Sequence, residues 1–124
     1  MSICRVLMHL TILISAVVVF HTQAEAGQAS KDFRAAQHQY LATAEKYRSK
    51  ADELDNKLAT FPPALQKIVP HLVQTYVYLA DTKVLLAEAI GKRDWEREEE
   101  LENYYYKLKA HEKMLWHDID ASKK

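Results

Sequence analysis

Cysteine, glycine and proline are all scarce in this chain of 124 residues, which has one Cys, two Gly and three Pro. So few turn formers exclude a collagen-like chain and a loop-rich all-β domain. The single thiol, Cys4, lies before the first apolar run, so residues 27–124 hold no disulfide and no CxxCH haem attachment. An excess of either charge is also missing. The 17 basic and 17 acidic side chains cancel, whereas nucleic-acid binders usually carry a basic excess on one face. The length allows one domain, and 48% hydrophobic residues are too many for a disordered chain.

Catalytic signatures are absent too. Nucleophilic hydrolysis needs Ser, Cys or Thr beside a base, but Ser30, Ser49 and Ser122 fall at a cap, a helix face and a tail. There is no Gly-x-Ser-x-Gly, no P-loop and no glycine-rich nucleotide turn. The chain therefore reads as non-enzymatic, with no cofactor expected.

The N-terminus has the layout of an export signal. Arg5 precedes an apolar run from Val6 to Phe20, 15 residues long and shorter than the ~20 of a membrane-spanning helix. Ala24-Glu25-Ala26 follows, the small-x-small pattern that a signal peptidase cuts. The expectation is a signal peptide over 1–26 and a single helical-bundle domain over 27–124. No stable membrane span would remain after cleavage. Small secreted animal domains usually carry disulfides, and no Asn-x-Ser/Thr sequon occurs here. These features favour the bacterial periplasm or the extracellular space.

Beyond the signal, three amphipathic runs stand out. Residues 31–60 lack Gly and Pro and are rich in helix formers, with Ser30 as the expected N-cap. Their larger apolar residues, Tyr40, Ala44, Tyr47, Ala51, Leu54, Leu58 and Phe61, follow a heptad seam. Gln37 interrupts it. Phe61-Pro62-Pro63 ends this helix, and a second seam runs Leu65, Val69, Leu72, Tyr76, Leu79, Lys83, Leu86, Ile90. Apolar residues extend beyond that seam, and Lys67 is the one formal charge between Lys57 and Asp81. Such a helix is either central and covered on two sides or partly exposed to a partner. Pro70 is expected to kink it, Gly91 to cap it, and Asp94 to start a third helix. The third seam is Leu101, Tyr105, Leu108, Glu112, Leu115, Ile119.

Helices over about 31–60, 64–90 and 94–120, joined by short connections, predict an all-α, antiparallel up-down-up three-helix bundle, elongated and coiled-coil-like. Folding at the two turns aligns the seams in six layers. Tyr40, Lys83 and Leu101 form the first, Tyr47, Tyr76 and Leu108 the third, and Ala51, Leu72 and Glu112 the fourth. A carboxylate in a seam needs a donor, and His71 or Arg48 is nearest by height.

Two groups of site residues follow. His71, His111 and Glu112 fall at similar heights and offer ligands for zinc or copper, although no fixed metal-ligand spacing such as HExxH is present. Trp95 and Tyr106 project from one outer side of the third helix and form an aromatic patch for a partner. Haem is disfavoured, since His38 and His111 differ in height by ~12 Å. The resulting expectation is an exported helical module that binds another protein or itself, with a periplasmic metal-binding protein as the alternative.

Overall fold

The computed structural model describes the backbone of residues 23–123 and the side chains of residues 33–123. It contains α1 (Gln23–Lys57), a 3-10 turn (Leu58–Thr60), α2 (Pro63–Gly91) and α3 (Trp95–Ser122). Among the described residues there is no strand. Helix α2 packs closely against both α1 and α3, so the architecture is the three-helix bundle read from the seams. The apolar segment Val6–Phe20 lies outside the described residues. No described helix is long and apolar enough to cross a membrane.

Two boundary details differ from the sequence reading. Ser30 is not a cap, because α1 passes through it from Gln23. Ala24, Glu25 and Ala26 all favour or tolerate a helix and nothing there stops one. A cut after Ala26 would thus fall in the first turn of α1. At the other end α1 closes at Lys57, and the chain tightens into the 3-10 turn before Pro62 and Pro63. Pro70 lies inside α2, where the sequence placed it, and the helix continues through it.

The α2–α3 turn also departs from expectation. Gly91 is the last helical residue, and the left-handed position belongs to Arg93, at φ 55°. Asp94 N–H donates to Ala89 O (2.9 Å) and Arg93 N–H to Ile90 O (3.0 Å). These are the paired bonds of a Schellman stop, which usually places Gly where Arg93 stands. Gly91 serves a different need. Gln37 Nε2 donates to Ala87 O across the α1–α2 seam at 3.0 Å, and a Cβ on Gly91 would collide with that amide. The polar break in the first seam is thereby satisfied. Asp94 caps α3 as expected, its carboxylate accepting from Arg97 N–H at 3.1 Å.

The core follows the three seams. Ala44, Tyr47 and Ala51 of α1, Leu65, Val69, Leu72, Tyr76 and Leu79 of α2, and Leu108, Leu115 and Ile119 of α3 form one buried cluster. A smaller cluster of Leu86, Ala89 and Leu101 closes the end near the α2–α3 turn, with Tyr40 against it. The α1–α2 register is the expected one. Lys83 Nζ lies 4.9 Å from the Tyr40 ring centroid, and the Tyr47 and Tyr76 rings stack at 6.0 Å. Contacts between α2 and α3 are displaced by about one turn. Lys83 reaches Tyr105 (3.9 Å) beyond Leu101, and Tyr76 reaches Glu112 beyond Leu108. Helix α2 ends at Gly91 and α3 begins at Trp95, so this turn centres on Arg93, beyond the position assumed from the sequence, and facing residues sum higher.

Candidate functional site

The fourth layer is where the bundle becomes polar. Glu112 is only 8% exposed. Lys109 Nζ donates to its Oε1 at 2.6 Å, and the Tyr76 hydroxyl supplies a second hydrogen bond. Neither expected donor is used. Arg48 turns away to Glu45 (3.1 Å) and Asp81 (3.8 Å), and the His71 side chain is exposed. The i−3 lysine on the same helix won because three residues place it one turn away on the same face. The i, i+3 spacing of Lys109 and Glu112 was the signal that could have found it. Burial raises the Glu112 pKa, but the bonds from Lys109 and Tyr76 and the charges of Lys109 and Lys50 outweigh it. The carboxyl ends below its ordinary value and stays charged.

An aromatic network surrounds this carboxylate. Trp116 Nε1 donates to the Tyr76 hydroxyl at 2.9 Å, and the Tyr47 and Tyr105 hydroxyls share a hydrogen bond of 2.7 Å. Burial pushes Tyr76 up to about 12, with the Glu112 hydrogen bond and charge adding to it. Tyr105 is raised by burial and by its bond to Tyr47, and Tyr47 by burial with the nearby Glu112 charge. Lys83 fills its seam position by lying against the rings of Tyr40 and Tyr105, an arrangement that compensates the half-buried ammonium. Burial still lowers its pKa.

Beside the network lies an open groove of about 370 Å³ that all three helices line. Lys50, Glu53 and Leu54 come from α1, Tyr76 from α2, and Glu112 and Trp116 from α3. Lys50 Nζ sits 5.6 Å from the Tyr76 ring centroid and 5.9 Å from that of Tyr47. No motif announces this groove, because its six residues are spread over three helices and meet only when the register is set.

The other sequence-predicted residues fall in separate places. His71 and His111 are both exposed, while Glu112 points inward to Lys109 and Tyr76. Among the described residues no group of three or more His, Cys, Asp and Glu side chains gathers into a metal-binding arrangement. Trp95 and Tyr106 do not form one outward patch. Trp95 is half-buried, its ring 5.5 Å from Phe33 of α1, because the start of α3 must cover the flank of α1. Tyr106 is exposed, with its ring edge-on to Tyr105 at 5.9 Å.

Exposed apolar side chains lie mostly elsewhere. Tyr78 (46% exposed) and Leu85 (39%) sit at i and i+7 on α2. They share a row with Ala89, which packs on Leu101 of α3, so they border the α2–α3 seam. Val77 stands on the opposite edge of α2, in a row with half-buried Val73 and Val84. Tyr104 and Met114 are exposed on α3, and Leu41 on α1. No family model, curated protein or solved structure matches the chain.

Proposed function

We propose that this chain is an exported, non-enzymatic helical-bundle protein of the bacterial envelope that works by binding another protein or a second copy of itself. One observation carries the proposal. The central helix is apolar beyond the arc that α1 and α3 cover, leaving Val77, Tyr78 and Leu85 in water. Exposed apolar residues gathered on one element mark interaction surfaces, and Tyr is enriched where proteins meet. Tyr104, on α3, adds to the same supply of exposed aromatic area. Export rests on the Arg5, Val6–Phe20 and Ala24-Glu25-Ala26 pattern.

Light scattering on the purified 27–124 chain, with affinity capture from envelope extract, tests the binding reading. A dimer or a defined captured protein is expected, and both should be lost in the triple variant Val77→Ser, Tyr78→Ser, Leu85→Ser. A monomer with no specific partner contradicts it. Mass spectrometry of envelope protein should find a chain beginning at Gly27.

A further inference from the structure

We infer that the groove between α1 and α3 is a binding site for a small aromatic acid, a flat ring system bearing one carboxylate. Its walls supply the two kinds of contact that such a molecule needs. Trp116, 38% exposed, offers a ring face and Leu54 an apolar edge, and stacking against an aromatic side chain suits a flat ring. The charge in the groove is unbalanced in one direction. Glu53 is paired with Lys57 at 2.9 Å and Glu112 with Lys109 at 2.6 Å. Among the described residues, Lys50 has no carboxylate within ion-pair distance; its ammonium lies against the Tyr47 and Tyr76 rings. The group without a direct ion pair is thus a cation at the edge of an aromatic surface, its charge felt by Glu112 only at longer range. A carboxylate that reached Lys50 would complete an ion pair while its ring lay along Trp116.

The geometry also sets the size. A groove of about 370 Å³ lies at the low end of small-molecule sites, which run roughly 300–1,000 Å³. One or two fused rings fit within it. Glu112 does not set the sign of the preferred charge. Its carboxylate is already neutralised by Lys109 and Tyr76, so it holds the wall in place and leaves Lys50 as the group that selects. This site is on the α1–α3 side of the bundle and is independent of the α2 edges assigned to a protein partner.

The experiment is an NMR titration of the folded protein with 2-naphthoate, alongside its neutral counterpart 2-naphthylmethanol and the cation 2-naphthylmethylammonium. The two indole N–H resonances report on the groove (Trp116) and on a distant control (Trp95). Saturable shifts at Trp116 and none at Trp95 are expected with 2-naphthoate. Lys50→Met keeps the apolar stem and removes the charge. It should weaken naphthoate about fivefold, as a half-exposed ion pair allows, and leave the alcohol unchanged. No shift at Trp116 at millimolar naphthoate overturns the proposal. So does equal binding of acid and alcohol, or stronger binding of the ammonium probe.

Discussion

At the level of single residues, Glu112 shows how a bundle keeps a charge inside. Its folded pKa is depressed, so its charge stabilises the fold above the ordinary carboxylate range. That contribution is lost as pH falls through the folded value. Thermal melts between pH 7 and pH 3 should therefore show a steeper acid-side decline for the natural chain than for Glu112→Gln. Glu112→Leu should melt within a few degrees of the natural chain at pH 7, because the Lys109 side chain is 41% exposed and its ammonium returns to water when its partner is lost. A large loss at pH 7 would mean the carboxylate does more than hold register. The tyrosines work in the opposite direction. Tyr47, Tyr76 and Tyr105 are all raised, so their protonated forms stabilise the fold at neutral pH. That stability declines as pH climbs from about 10, where unfolded tyrosine ionises. Ultraviolet titration should find Tyr47, Tyr76 and Tyr105 ionising late, and only as the helix signal disappears.

At the level of elements, the heptad spacing from Tyr40 to Leu58 and from Leu65 to Ile90 located two seams, and Leu101 to Ile119 the third. Every one of those positions is buried or half-buried, including Lys83, which lies between rings. Such patterns are readable because helical period and burial are local. Three things were not readable. The start of α1 depends on the absence of a stop signal near Ser30. The left-handed residue of the turn is Arg93, while Gly91, still helical, leaves room for the Gln37 amide. The partner of Glu112 depended on which of several nearby donors the packing favoured, a choice no spacing rule makes. Pro70, exposed within α2, supplies an element-level test. It cannot donate to the Gln66 carbonyl, so Pro70→Ala restores that helical bond and should raise stability by roughly 1–3 kcal/mol in denaturant titration. A loss would show that Pro70 is needed for the shape of α2.

For the whole molecule, burial separates side chains that hold the fold from those that do not. Leu79 is fully buried in the main cluster, and Leu79→Ala should cost about 3–5 kcal/mol. Leu85, two turns nearer the α2–α3 turn, is exposed, and Leu85→Ser should change stability by less than about 0.5 kcal/mol. The fold gains little from the apolar residues on the edges of α2, which is why they are assigned to a partner. Site-directed photo-crosslinking in cells tests that assignment most directly. A photoreactive residue is placed at Tyr78 or Leu85, and at exposed Glu96 as a control. The account predicts one defined adduct from positions 78 and 85 and none from 96. The absence of any adduct, or equal adducts from all three positions, would contradict it.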